Sequence, residues 1–328
     1  MRARYLWDRY WFRPIPILYL GILRVTVVGY QLYYLISYVL DEMRRVALLP
    51  DALYDALPVV HILLLPFGWH VRPPIEVLEI VYGLTAISGF YSLLGFYSKK
   101  SLVVFALGNL LLQGYIYSLS PVHHAEAVVM ISLAILVFSP AGASLSFDEL
   151  RRKMDITTKG KKVIWNFLGR KSRLACWPLL LIQWVLALIY LSAAFLKMKD
   201  GGLEWMNGYT LQYYFVQTNL IWQKELGLWL SQQHYLVWLL SWISIMFESS
   251  FFVALLFPPL AFFYVLLGTA LHIGIYYTMG PAFFQYIMLY VCFLPWMSFG
   301  KPQIKKLLRR HNSETDIFEP RSTMDSRG

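Results

Sequence analysis

The chain is 328 residues long, 58% hydrophobic, 17% aromatic and 15% charged. So much apolar surface excludes a soluble globular protein of this length and points to a polytopic membrane protein. Its spans are expected to be helices, because backbone polar groups in lipid must be satisfied within each segment. The net charge of +10 does not point to nucleic acid, since lysine and arginine gather in a few loops and both tails, as the positive-inside rule requires.

Arg2, Arg4, Arg9 and Arg13 precede the first apolar run. No small-residue cleavage site follows a short apolar core, so the first span is expected to be retained rather than removed as a signal peptide. Hydropathy places spans at Pro14–Leu40, Ile75–Tyr97, Ser101–Ser118, Ala125–Leu145, Trp177–Lys197, Tyr235–Phe257, Pro258–Met279 and Pro281–Ser298. Each is long enough for a helix across about 30 Å of hydrocarbon. Lys99 and Lys100, the basic residues between Asp148 and Ala175, and the tail carrying Lys301, Lys305, Lys306, Arg309 and Arg310 then share one side. The expected fold is therefore an all-α polytopic bundle of about eight transmembrane helices with both termini cytoplasmic. Arg44, Arg45 and Arg72 fall on the outer side against this rule, and the apolar stretch Ala56–Phe67 reads as a re-entrant or surface helix, leaving about seven to nine spans open.

The outer side holds Asp41–Pro74, Leu119–His124 and Lys199–His234. The last is rich in Trp, Tyr and Gln, as in helices lying at the headgroup level. Residues 1–300 form one transmembrane domain, and 301–328 a short basic tail expected to be disordered. Cys176 and Cys292 are far apart in or beside apolar runs, which supports neither a disulfide framework nor a thiolate metal site.

Charges inside spans are costly and by default point into the bundle or a cavity. Arg24, Glu248, His272 and Lys197 stand out, with His123 and His124 at an outer mouth. Lys197 ends its span, so it is either a snorkelling anchor or a partly desolvated amine able to act as a base. Lys197, the histidines and His272 share the outer half, with Glu248 deeper, so one cavity could hold them all. Such a set suits deprotonation of a weakly acidic hydroxyl, for example that of a hydroquinone. The bland readings stay open beside it: His272 hydrogen-bonded for packing, Glu248 a protonated structural carboxyl, Arg24 paired with a neighbouring carboxylate. The spacing of His123, His124 and His272 is not diagnostic of zinc, and no metal is expected.

Several blocks resemble the HTTM superfamily, the transmembrane domain of vitamin K-dependent gamma-glutamyl carboxylase and its stand-alone bacterial homologues. Ile189-Tyr-Leu-Ser-Ala-Ala-Phe-Leu-Lys197-Met, followed by Trp205 and Asn-Gly208-Tyr209, is similar to the segment carrying that family's catalytic lysine. His123-His124-Ala-Glu, leading through Phe138-Ser-Pro140 to Ser146-Phe-Asp148, resembles its histidine block, with His124 the better match for the functional histidine. Phe247-Glu248 through His272 to Phe284-Gln-Tyr286-Ile-Met288-Leu289 keeps its spacing. Leu23-Arg24 with Gly29, and Leu94-Gly95 with Lys99-Lys100-Ser101, resemble its first helix and short basic turn.

The resemblance implies a multi-pass plasma-membrane protein in which Lys197 removes a proton from reduced vitamin K or a related menaquinol or naphthoquinol. His124 and His272 would position or polarise the quinol, and Glu248 would fix His272 or close a polar network. Trp205, Tyr209, Tyr286 and Arg24 are the further residues assigned to the cofactor site. O2 and CO2 would be co-substrates for epoxidation and carboxylation, on a secreted or membrane peptide and with a partner protein. The carboxylase has a large soluble substrate-binding domain where this sequence has a short tail. The alternative implied is a non-catalytic membrane maturation or export partner for a secreted peptide of the sporulation-delaying toxin type.

Overall fold

The computed structural model describes residues 2–68, 72–120, 124–154 and 170–295. Outside turns and short loops the described chain is helical apart from one two-residue ladder, in which β1 (Ile15–Pro16) pairs antiparallel with β2 (Lys171–Ser172). Hydropathy alone gives no expectation of a strand at either segment. The ladder sits where two chain segments enter the bundle, and it sets the entries of two long helices side by side.

Those helices are α2 (Leu18–Ala47) and α8 (Cys176–Gly201), the latter running on as a 3₁₀ turn to Asn207. Between them lie α3 (Pro58–Leu64), α4 (Ile75–Leu94), α5 (Ser98–Tyr117), α6 (His124–Phe138) and α7 (Phe147–Met154). A first helix, α1 (Arg2–Trp11), precedes the ladder. After α8 come α9 (Tyr209–Trp222), α10 (Glu225–Ser231), α11 (His234–Ser250), the single turn α12 (Val253–Leu256), α13 (Ala261–Met279) and α14 (Phe284–Leu289).

Among the described residues four helical stretches are long and apolar enough to cross a membrane: Leu18–Ala47, Ile75–Leu94, Cys176–Asn207 and Pro258–Met279. Of the other expected spans, Ser101–Ser118 falls in the unbroken α5, and the remaining three are shorter or broken. Ala125–Leu145 stops at Phe138, because Ser139-Pro140 leads into a 3₁₀ turn at Ala141–Ala143. Tyr235–Phe257 breaks after Ser250, ahead of the Pro258-Pro259 pair, which cannot continue a helix ladder. Pro281–Ser298 holds α14, a 3₁₀ turn at Tyr290–Phe293 and two further helical residues up to the last described one. The tail 301–328 and His123 lie outside the described residues.

One core runs through α2, α4, α5, α6, α8 and the end of the chain, with Leu20, Val27, Phe105, Leu112, Leu186, Phe251 and Phe293 fully buried or nearly so. The opposite faces carry exposed Leu, Ile and Phe, for example Ile80, Leu84, Ile87, Phe262, Phe263 and Leu266. That inversion is expected of helices whose outer solvent is hydrocarbon.

The described residues of the segment Asp41–Pro74, expected on the outer side, are tied down. Arg72 donates to the carbonyls of Val46 (2.5 Å) and Leu49 (2.6 Å), to the Tyr115 hydroxyl and to Asp51. Arg44 pairs with Glu79 at 2.8 Å. All three arginines that the charge count leaves on the outer side thus bond locally, Arg45 donating to the Asp41 carbonyl at 3.4 Å. The stretch expected as a surface or re-entrant helix is α3, which buries Val60 against Gly114 of α5.

Candidate functional site

Arg24 is fully buried, yet it lies within the second turn of α2 and nowhere near the end of α8 that carries Lys197. The two helices start beside one another at the ladder, and Lys197 stands about 30 Å along its own. Arg24 donates to the carbonyls of Ser92 (2.5 Å), Leu93 (3.4 Å), Ser144 (3.5 Å) and Leu145 (2.6 Å). Gly95 ends α4 with φ +76, a conformation that glycine adopts without strain. Asp148 then accepts the amides of Tyr97 (2.9 Å) and Ser98 (2.7 Å), starting α5. Partial burial acts to raise the Asp148 carboxyl, but these amides, the Ser98 hydroxyl and nearby Arg24 outweigh it and hold it below the usual carboxylate range. Arg24, assigned at the sequence level to the cofactor site, is therefore the centre of a clasp joining α2, α4, α5 and the loop before α7.

The charges at the other end are arranged differently. Lys197 Nζ, near the end of α8, meets both oxygens of Glu248 on α11, at 2.5 and 2.6 Å. The Glu248 side chain is 9% exposed and that of Lys197 26%. A carboxylate at that burial needs a partner, because an uncompensated charge in a low-dielectric interior costs several kcal/mol. Trp205 caps the amine, with Nζ 4.8 Å from its ring centre, a cation–π contact. The turn that carries Trp205 ends at Gly208, where φ is +89 and a Cβ would come 2.9 Å from the Trp238 backbone. Only glycine fits there, so the Asn-Gly208-Tyr209 sequence positions Trp205.

Glu248 also receives the Ser244 hydroxyl, one turn earlier on α11, at 3.5 Å. Ser244 in turn lines a cavity of about 390 Å³ between α9, α10, α11 and α13. Its walls are apolar, among them Phe215, Leu240, Leu267 and Leu271, with Ser244 and Thr278 the polar exceptions. Ser244 thus links an apolar chamber to a partly buried charge pair.

A second polar centre lies two turns back along α8. Tyr190 and Lys197 are seven residues apart and so share a helix face. The Tyr190 hydroxyl lies 2.7 Å from His272 Nε2 and 2.6 Å from the Tyr290 hydroxyl. Tyr286 stacks on His272 with ring centres 5.0 Å apart. The aromatic rings of Phe247 and Phe251 close over Tyr190. All four polar side chains of this centre are buried.

The expected set is partly reunited. Lys197, Glu248 and Trp205 meet directly, and His272 meets Tyr286. Glu248 does not fix His272: its bonds go to Lys197 and Ser244, and the partner of His272 is Tyr190. Lys197 is neither an isolated amine nor a bare anchor but half of a bidentate ion pair. Tyr209 stacks on His234, with centres 4.5 Å apart, and is well exposed. His124 opens α6, and its side chain lies outside the described residues. Tyr190, Tyr290 and Ser244 were missed. The seven-residue spacing from Lys197 was the available signal for Tyr190, and the four-residue spacing from Glu248 for Ser244. Among the described residues no cluster of histidine, cysteine and carboxylate side chains could hold a metal.

Chemically, an amine and a carboxylate locked together in a half-dry setting form one proton-exchanging unit rather than two independent groups. Comparison of the chain with protein-family models, curated proteins and solved structures finds no match in any of the three.

Proposed function

We propose that this chain is a multi-pass membrane protein of about eight spans, both ends cytoplasmic, that takes a proton from the hydroxyl of a lipid-soluble quinol. One observation carries the reading: the Lys197–Glu248 pair stands beside an apolar cavity and is joined to it by Ser244. The cavity volume falls in the range of about 300–1,000 Å³ usual for small-molecule sites. Its apolar walls fit a naphthoquinol ring, and Ser244 is placed to orient a hydroxyl toward Glu248.

The pair divides the work. The hydroxyl proton passes to the pair, and one positive charge remains on the Lys197 side. That ammonium lies against the negative charge left on the substrate oxygen, as a fixed dipole or ion does at any developing oxyanion. Trp205 shields the amine from water, which strengthens the interaction. His272 and Tyr190 supply a second set of exchangeable protons nearby. When bound, the quinol would supply the reaction with O2, and the HTTM resemblance extends the scheme to CO2 addition on a peptide substrate, with Lys197 as the base.

The test is turnover of a reduced naphthoquinone by purified protein in lipid nanodiscs, followed by chromatography of the oxidised products. Glu248→Gln and Lys197→Met are each expected to lose at least 100-fold, the scale of a positioned acid–base group. Wild-type turnover surviving in Lys197→Met removes the pair from the chemistry. Peptide maturation persisting in that variant would favour the partner-protein role.

A further inference from the structure

The polar centre around Tyr190 continues beyond His272. Among the described residues His272 Nδ1, the Tyr286 hydroxyl and Gln285 Oε1 have no hydrogen-bond partner. Their residues are 5%, 2% and 4% exposed. Gln285 Nε2 donates to Glu126 Oε1 at 3.2 Å. Glu126, in the second residue pair of α6, lies within electrostatic reach of Tyr30, Tyr34, Tyr117 and Tyr286. A second, half-buried carboxylate is thereby ringed by phenols that belong to α2, α5 and α14.

A buried polar atom left unpaired is destabilising, because its hydration is lost with nothing in exchange. Three such atoms, on two adjacent residues and on the imidazole stacked over one of them, call for a shared polar occupant. Internal water is what such sites ordinarily hold, at about three hydrogen bonds per molecule. We propose that bound water joins His272 Nδ1 and the Tyr286 hydroxyl to Gln285 and Glu126, making a continuous proton path from Glu126 through His272 to Tyr190.

His272 suits the middle of such a path. Its ring accepts a proton at Nε2 and releases one from Nδ1, changing tautomer with no net charge left behind. The Tyr190 hydroxyl gives its proton to Nε2 and takes the incoming one on the same oxygen, with Tyr290 bonded to it throughout. Glu248 is within electrostatic reach of Tyr190, so the near end of the path opens beside the Lys197 pair. As the exit for the substrate proton, the path rests on the proposed function; as a hydrogen-bonded chain it does not.

The test is ¹⁵N resonance of histidine-labelled protein in lipid nanodiscs, with the His272 signals identified by their loss in His272→Gln. Glu126→Gln and Tyr286→Phe are each expected to move the Nδ1 signal by more than its linewidth, although Glu126 makes no direct bond to the ring. Glu79→Gln, which alters a surface pair with Arg44, is expected to leave it in place. An Nδ1 signal unmoved in both variants, with thermal unfolding unchanged, overturns the path. Should Glu126→Gln fail to fold, Tyr286→Phe keeps the ring stack and carries the same decision. Quinol turnover separates the two claims. In Tyr190→Phe it is expected to fall about tenfold with KM unchanged. A moved Nδ1 signal with no wild-type turnover keeps the path and removes the quinol reaction.

Discussion

Arg24 and Lys197 are both charges inside long apolar helices, and they end in opposite situations. Arg24 spends its guanidinium on four backbone carbonyls, at the point where three helices and a loop converge. Lys197 bonds a side chain, Glu248, and the same carboxylate reaches a cavity through Ser244. Bonds to backbone consume a charge in holding the fold. Bonds between side chains leave protons that can be exchanged. The cost of burial makes every intramembrane charge a candidate site, but the partner decides whether it is one.

The contrast breaks first at Arg24. Arg24→Met strands the carbonyls of Ser92 and Leu145 in a dry interior, at a cost on the order of 3–5 kcal/mol. The expected outcome is loss of folded protein on size-exclusion chromatography. A folded Arg24→Met protein lacking only activity would place Arg24 in the site after all.

Lys197→Met leaves Glu248 buried without its partner, at a cost of about 3 kcal/mol in thermal unfolding. The double change Lys197→Met with Glu248→Gln is expected to regain most of that stability and none of the quinol turnover. Recovery of both would make the pair structural, like Arg24.

Ser244→Leu fills the cavity beside the pair. KM for the reduced naphthoquinone is expected to rise about tenfold, or about 1.4 kcal/mol, with the unfolding temperature unchanged. An unchanged KM would detach the cavity from the site.

Asp148→Asn tests the clasp where it meets water. Removing a carboxylate that accepts helix-start amides costs about 1 kcal/mol. The sign of the pH dependence follows from the lowered folded-state pKa of Asp148. Its stabilisation is present above the ordinary carboxylate pKa and is lost as pH falls through the lowered value. Thermal unfolding of Asp148→Asn is therefore expected to be less acid-sensitive than that of the wild type. Trp205→Phe, the smallest change, weakens the cation–π contact by about 0.5 kcal/mol, read as a slight rise in KM.

Much of the helix layout was legible because hydrocarbon length and hydropathy are properties of contiguous sequence. The breaks were less so. Ser139-Pro140 ends a helix inside a run that remains apolar, and α11 stops at Ser250, short of the boundary expected at Phe257, so hydropathy passes over both breaks. The candidate site was legible as a list of costly residues: Lys197, Glu248, His272 and Arg24. Their grouping was not, since it depends on which helices face one another. Tyr190 and Ser244 escaped because a tyrosine or a serine in an apolar helix carries no penalty that marks it out.

Composition and pattern alone determined that this chain builds apolar helices, where its longest ones run, and which ionisable residues they carry inward. These follow from the energy of placing each residue in hydrocarbon, a sum over local sequence. Tertiary structure alone decided that Arg24 holds backbone while Lys197 holds Glu248, and that His272 answers to Tyr190. Those pairings join residues from 51 to 121 positions apart in the chain, and only helix packing brings such distant groups within hydrogen-bond distance.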